Sequence, residues 1–131
     1  MIVVGCAQCR RQSATGDTRI LGNYELVGHD KAGRLIFTGN ISFTAFDQMD
    51  LKGQCKVVQT ASEFEGAVDK DGPCEGTLVD NKITLDLAPQ LADGGLIFQG
   101  QVHDDRITGI WMIETFAGTE PQGKFEAVKK T

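Results

Sequence analysis

The chain has 131 residues, of which 40% are hydrophobic and 24% are charged, and its net charge is −5. This composition is that of one globular domain with a core of its own, and it argues against a disordered chain. The acidic balance, with no cluster of Lys and Arg, argues against nucleic-acid binding. Helical periodicity is scarce, whereas short alternating runs separated by turn residues recur, which predicts an all-β sandwich or barrel.

The N-terminal segment carries a short apolar run that ends in a cysteine. Val3-Val4-Gly5-Cys6 resembles the lipobox of bacterial lipoprotein signal peptides, in which cleavage frees the cysteine and a lipid is attached to it. A signal peptide has an apolar core of about 7–15 residues, so either the true start lies upstream or the match is fortuitous. We expect a flexible tether over residues 1–17 and a folded domain over residues 18–131. The resemblance implies a periplasmic protein of the bacterial cell envelope. A lipid on Cys6 would anchor it to a membrane, and the outer membrane is one expected location.

Cys6 and Cys9 also form a C-x-x-C pair. A redox site of this kind needs a helix start within a βαβ unit, and a metal site needs a second pair of ligands. The sequence offers neither around Cys6, so we predict no metal and no cofactor there.

The rest of the chain divides into short runs with strand period, each bounded by turn or loop residues. We predict eight strands, at about residues 23–29, 34–45, 49–59, 74–79, 82–87, 95–103, 106–115 and 123–129. Alternate residues of each strand face inward. Tight turns lie at one end of the strands, and longer connections at 60–73, 88–94 and 116–122 lie at the other, looped end. The fold class predicted is a single eight-stranded antiparallel up-and-down β-barrel.

The turns also predict strand registers in which every opposed pair shares the inner face. These pairs are Leu26 and Phe37, Tyr24 and Gly39, Cys55 and Cys74, Gly100 and Gly109, and Phe98 and Trp111. Glycine is unfavourable inside a strand and marks tight bends or close backbone approach. Five glycines lie at inward positions: Gly39, Gly53, Gly76, Gly100 and Gly109. They indicate the strong coiling that closes a small barrel. The alternative is that they leave room for a ligand or for aromatic rings.

Cys55 and Cys74 close a loop across the third and fourth strands. In an oxidising compartment we expect a disulfide there, worth about 3 kcal/mol. A cytosolic protein would leave two buried thiols instead.

Residues 21–130 resemble the lipocalin and avidin-like class of barrels. Gly22-Asn23-Tyr24 is similar to the lipocalin Gly-x-Trp motif with Tyr in place of Trp, and the 106–112 stretch is similar to the Trp-bearing late strand of avidin-like barrels. The resemblance implies the barrel fold and a small apolar ligand. It does not imply biotin, because Trp111 is the single Trp. As a whole the chain resembles uncharacterised small lipoprotein barrels of bacterial envelopes.

A carrier of this class would bind its ligand at the looped end. The candidate ligand-binding residues are four interior rings and three apolar loop residues: Tyr24, Phe37, Phe98, Trp111, Phe64, Leu91 and Phe116. The alternative is a protein-binding or structural module whose rings fill the interior. That module would be similar to periplasmic metalloprotease inhibitors, or would form a homo-oligomer through an outward apolar patch of Ile97, Ile110 and Met112.

Catalytic chemistry is not indicated. The two histidines, His29 and His103, end strands at opposite ends of the predicted barrel, so they cannot share a site. No Ser/His/Asp arrangement, phosphate-binding glycine loop or HExxH motif is present. We therefore expect a non-enzymatic protein without catalytic residues.

Overall fold

The barrel closes on itself. The computed structural model describes residues 19–60, 68–89, 95–115 and 118–130. These residues form eight strands: β1 (Gly22–Asp30), β2 (Leu35–Asp47), β3 (Asp50–Gln59), β4 (Lys70–Val79), β5 (Lys82–Asp86), β6 (Leu96–His103), β7 (Arg106–Thr115) and β8 (Gly118–Lys129). Each strand pairs antiparallel with the next, and β8 pairs with β1. The predicted fold class is confirmed. Within these ranges no helix is long or apolar enough to cross a membrane.

Side chains that alternate along the strands point into the barrel and form one core. On β3, Leu51, Gly53, Cys55 and Val57 are buried, and the three residues between them are exposed. The inward faces of the strands together contribute most of the buried side chains of one core. Met49, expected to face inward, instead lies in the β2–β3 turn and is 52% exposed.

Two hairpin arms are longer than predicted. β4 begins at Lys70 and β8 begins at Gly118, so the long connections before them are shorter than expected. Pro73 and Pro121 favoured loops in the sequence, yet both lie within strands. Pro73 pairs only with β3, because the pairing of β4 with β5 begins at Glu75. A strand tolerates proline where one side lacks a ladder partner.

The first hairpin register differs from the prediction by two residues. Leu26 lies opposite Gly39, not Phe37, and Gly28 lies opposite Phe37. The turn is one residue shorter than expected, since the Asp30 amide donates to the Arg34 carbonyl at 2.9 Å, and a bulge adds one more residue to β2. A shift of two preserves parity, so the predicted inner face is retained.

The β6–β7 register is confirmed, with Phe98 opposite Trp111 and Gly100 opposite Gly109. A Cβ on Gly109 would lie 2.0 Å from the Gln99 carbonyl oxygen, and one on Gly76 would lie 1.8 Å from that of Thr84. These obstacles are backbone atoms of the neighbouring strand, which cannot rotate away. The inward glycines are therefore required where strands approach each other closely, as the coiling interpretation predicted.

Replacing Gly109 with Ala should destabilise the barrel by about 3 kcal/mol, because two strands must separate to admit the methyl group. Elsewhere in a strand the same change is favourable, since Gly costs about 0.5–1 kcal/mol relative to Ala. Chemical denaturation monitored by Trp111 fluorescence measures the difference. Thr108→Ala, one residue away on the outer side, is the control. An unchanged or higher denaturation midpoint for Gly109→Ala would show that the strands are not held this closely.

Candidate functional site

Aromatic rings fill the middle of the barrel. The Phe37 and Trp111 rings meet edge to face at 5.1 Å between centroids. Phe37 stacks on Phe98 at 5.9 Å, and Phe98 stacks on Phe125 at 4.4 Å. All four side chains, here called the aromatic cluster, are at most 3% exposed. Contacts of this kind are those of a packed core, with the geometry that aromatic pairs prefer.

The indole of Trp111 ties three strands together. Its Nε1–H donates to the His29 carbonyl oxygen at 2.8 Å. Trp111 lies opposite Gly123 on β8, while His29 belongs to β1, the strand beyond. A Cβ at Gly123 would lie 1.8 Å from the His29 carbonyl oxygen. The glycine thus leaves the path open along which the indole reaches β1.

Tyr24 lies apart from the aromatic cluster, at the tight-turn end. It meets Phe43 edge to face at 5.4 Å, and its hydroxyl donates to the Ile20 carbonyl oxygen at 3.0 Å. Burial, followed by the negative charge of Asp105, raises the pKa of Tyr24 to about 12. Three of the four predicted interior ligand residues, Phe37, Phe98 and Trp111, are therefore together, but their rings contact one another. Tyr24 is held at the tight-turn end by Phe43 and Ile20, so the structure does not group it with the other three, and their role in binding stays a prediction.

Several predicted site residues lie outside the described ranges. They are Cys6, the candidate lipidation site, and Phe64, Leu91 and Phe116, the apolar loop residues. Their roles stay predictions.

The predicted outer patch is only partly exposed. Met112 is buried, at 6% exposure, and Ile97 and Ile110 are half-buried. The β7–β8 ladder slips between Trp111 and Met112, and a bulge of this kind re-aims side chains. Met112 is therefore not the exposed patch residue that alternation predicted.

Ile110 lies instead in a groove on the outer wall at the looped end. The groove, here called the rim groove, has a volume of about 560 Å³ and is lined by His29, Asp30, Lys31, Ala32, Gly33, Ile110, Pro121, Gly123 and Lys124. Ala32, Ile110 and Pro121 supply apolar surface. Lys31 and Lys124 supply two ammonium groups.

The carboxylate of Asp30, which lines the groove, is hydrogen-bonded within its own turn. Asp30 Oδ1 accepts hydrogen bonds from the Ala32 and Arg34 amides, each at 2.9 Å, and Oδ2 pairs with the Arg34 guanidinium at 3.3 Å. The Arg34 backbone hydrogen bond is the main cause that lowers the pKa of Asp30. Asp30 therefore acts as a turn former, as Asp commonly does.

The rim groove is hard to predict from the sequence for two reasons. Its residues come from the end of β1 with the turn that follows, from β7 and from β8, and only barrel closure brings these segments together. Pro121 lies in a part of β8 that the sequence predicts to be a loop. The one available signal was Ile110, an apolar residue on the outward face of β7.

The cysteine pair differs from the prediction. Cys55 lies opposite Gly72 and Cys74 opposite Gly53, so the two cysteines are diagonal neighbours, not an opposed pair. Both are buried and are free thiols in this structure, so the disulfide stays a prediction. The assumed register was two residues out, because the long connection between β3 and β4 offers no tight turn to fix it.

The two thiols influence each other and one of them is hydrogen-bonded to the backbone. The neighbouring Cys74 thiol lowers the pKa of Cys55, while Cys55 and burial raise the pKa of Cys74. The Cys55 thiol donates to the Leu87 carbonyl oxygen, at 3.6 Å. Lys70, on the same inward-facing side of β4, favours a negative charge on Cys55. No group of three or more His, Cys, Asp or Glu side chains within the described ranges is placed to hold a metal ion.

The barrel has counterparts among solved structures. No protein family and no curated protein matches the chain. The structure of EF1p2_mFAP2b bound to DFHBI is 11% identical, with a TM-score of 0.62 over 88% of this chain and 96% of that one. A redesigned beta barrel, mFAP1, bound to DFHBI is 17% identical, with a TM-score of 0.55 over 86% and 96%. Another, mFAP0, also bound to DFHBI, is 14% identical, with a TM-score of 0.51 over 86% and 99%. At these identities the likeness shows the fold alone: this is a closed eight-stranded antiparallel β-barrel.

Replacing Trp111 with Ala should cost about 3–5 kcal/mol of unfolding free energy, because the ring is in contact with other core side chains and the cavity left cannot collapse fully. Trp111→Phe keeps a ring but leaves the His29 carbonyl without its donor, so roughly 1–3 kcal/mol should be lost. Denaturation followed by circular dichroism measures both. A loss below about 1 kcal/mol for Trp111→Ala would mean that the indole borders a void, not a packed core.

Tyr24 should ionise near pH 12. Below the ordinary Tyr pKa of about 10 the phenol is neutral in both states and does not make stability depend on pH. As the pH rises from about 10 to about 12 the unfolded chain loses its proton first, so the folded state is progressively destabilised. Tyr24 is the single Tyr, so tyrosinate absorbance after a rapid pH jump reads it before unfolding. Tyr24→Phe should give no signal and a flatter stability profile. A midpoint near 10 would show an exposed phenol.

Proposed function

We propose that this protein is a non-enzymatic binding barrel that takes a small molecule with an apolar body and an acidic group in its rim groove. The observation that carries the proposal is that Ala32, Ile110 and Pro121, which are apolar, line the same groove as the lysines Lys31 and Lys124. Apolar surface with a few convergent polar groups is the usual character of a ligand site.

The packing of the interior argues for a site on the rim. A ligand in the middle of the barrel would have to separate the Phe37 ring from those of Phe98 and Trp111, whose centroids lie 5.9 and 5.1 Å from it. Lost ring contacts and strained rotamers both oppose such an insertion. The filled core is the feature expected of the alternative binding module, while the rim groove keeps the ligand at the looped end of the barrel.

Charge favours an anionic ligand. The chain as a whole has a net charge of −5, so a groove with two lysines departs from the average surface. Asp30 contributes little opposing charge to a ligand, because its oxygens are engaged by the Ala32 amide and by Arg34. An exposed ion pair is worth about 0.2–1 kcal/mol, so the lysines orient the ligand and the apolar floor supplies most of the affinity.

The similar barrels support a small-molecule ligand. Three solved barrels of this fold are described as bound to DFHBI. The fold is therefore compatible with small-ligand binding, although at 11–17% identity no site residue transfers to this chain.

The proposal includes the predicted envelope anchor. Lys129 Nζ donates to the Arg19 carbonyl oxygen at 2.7 Å, and Tyr24 holds Ile20, so the chain enters the barrel at its tight-turn end. A lipid on Cys6 would hold that end toward a membrane. The rim groove, at the opposite end, would then face away from the membrane and be open to ligands.

Anilinonaphthalene sulfonate, which is apolar and anionic, tests the groove in a fluorescence titration with dodecanoate as competitor. Reversing both groove charges, with Lys31→Glu and Lys124→Glu together, should weaken binding roughly tenfold at low salt, the equivalent of about 1.4 kcal/mol. Lys52→Glu with Lys56→Glu changes net charge equally on the outer face of β3 and should have little effect.

Two outcomes would contradict the proposal. Equal weakening by both double variants would show attraction to the whole protein and not to the groove. Binding that ignores the lysines but changes with Phe37→Leu would place the ligand inside the barrel.

A further inference from the structure

Two cysteines and two glycines form a square on the inner face of β3 and β4. Cys55 faces Gly72, Cys74 faces Gly53, and the cysteines occupy one diagonal. The glycines on the other diagonal add no side chains, so no β-carbon on the opposite strand separates the sulfurs. The thiols are close enough for Cys74 to be the main influence on the pKa of Cys55.

The pair is not symmetric. The neighbouring Cys74 thiol and, to a smaller extent, the Lys70 ammonium lower the pKa of Cys55, so a thiolate is better stabilised on Cys55. Burial, Asp71 and Asp86 oppose this lowering, each more weakly than Cys74 favours it. For Cys74, hydrogen bonding to Cys55 and burial both favour the thiol. This ordering distinguishes an attacking sulfur from a resolving one.

The strand ladder beside this pair is short. β5 has only five residues, and its ladder with β4 begins at Glu75, one residue beyond Cys74. Within the described ranges, β4 before Glu75 has a ladder partner only on β3. A segment with few backbone hydrogen bonds opens locally at low cost, so the buried thiols can meet a small reagent without global unfolding.

We propose that Cys55 and Cys74 are a reversible dithiol–disulfide site for small-molecule disulfides. The Cys55 thiolate attacks one sulfur of the reagent, which breaks its S–S bond, forms a mixed disulfide and releases one thiolate. The Cys74 thiol gives up its proton and its sulfur attacks Cys55, which forms the Cys55–Cys74 bond and releases the second thiolate. The protein loses two electrons and the two thiol protons, and the small disulfide is reduced to two thiols.

Oxidised glutathione tests this reaction in the full chain with Cys6→Ser and Cys9→Ser, which remove the other two thiols. Alkylation and intact mass should show both remaining thiols lost together and restored by dithiothreitol. Adding Cys74→Ser should trap glutathione on Cys55. Adding Cys55→Ser should leave Cys74 at least tenfold slower to react. Lys70→Gln should slow the first step by about threefold, whereas Lys56→Gln on the outer face should not.

Denaturation distinguishes a structural role from a reactive one. If both cysteines react at one rate, equal to the rate of global unfolding, they are ordinary buried thiols and the proposal is wrong. A stable glutathione adduct on Cys55 with Cys74 present would also overturn it, because the resolving step would be absent. Loss of dye binding in the rim groove bears on the proposed function alone, since the groove shares no residue with the cysteine pair.

Discussion

Close approach of backbones on the inner side of a small barrel is the constraint on which the rest of this structure depends. Eight strands close only when they coil strongly, and at Gly109 the neighbouring carbonyl oxygen stands where a β-carbon would be. The same glycines make room for rings. Four aromatic side chains lie directly opposite glycines: Phe37 opposite Gly28, Phe43 opposite Gly53, Trp111 opposite Gly123 and Phe125 opposite Gly109. Coiling and room for rings, which the sequence presents as alternatives, are two results of one arrangement.

The rings in turn decide where binding can occur. Once the aromatic cluster occupies the middle of the barrel, the interior has become an ordinary packed core, in which insertion of new atoms is costly. Trp111 extends this effect to the wall, because its hydrogen bond to His29 joins β7 to β1 across β8. His29 lies at the edge of the rim groove, so the residue that fixes the core also fixes one side of the outer site. A ligand in the proposed groove would therefore meet a wall that does not first have to be ordered.

Much of the fold could be predicted because strand parity is robust to small errors. The bounds of β7 agree with the prediction, and its register with β6 follows from one two-residue turn. The β1–β2 register did not follow, because a shorter turn and a bulge each shift it by one residue and neither is visible in the alternation of the sequence. The two changes sum to an even number, so the inner face survived the error. Pro121 favoured a loop for a different reason. It pairs with β7 only, because the ladder of β8 with β1 ends at Gly123, and that ladder forms only when the barrel closes.

The candidate sites were harder to predict because they depend on register and not on parity. A shift of two residues leaves Cys55 and Cys74 facing inward, so burial is predicted correctly in either register. Their chemistry changes, however, since an opposed pair would occupy one rung whereas a diagonal pair leaves glycine opposite each sulfur. Both thiols are free and buried in this arrangement. The two-residue shift in register therefore preserves the burial of both cysteines while it changes the neighbours of each sulfur, and the proposed reversible site depends on those neighbours.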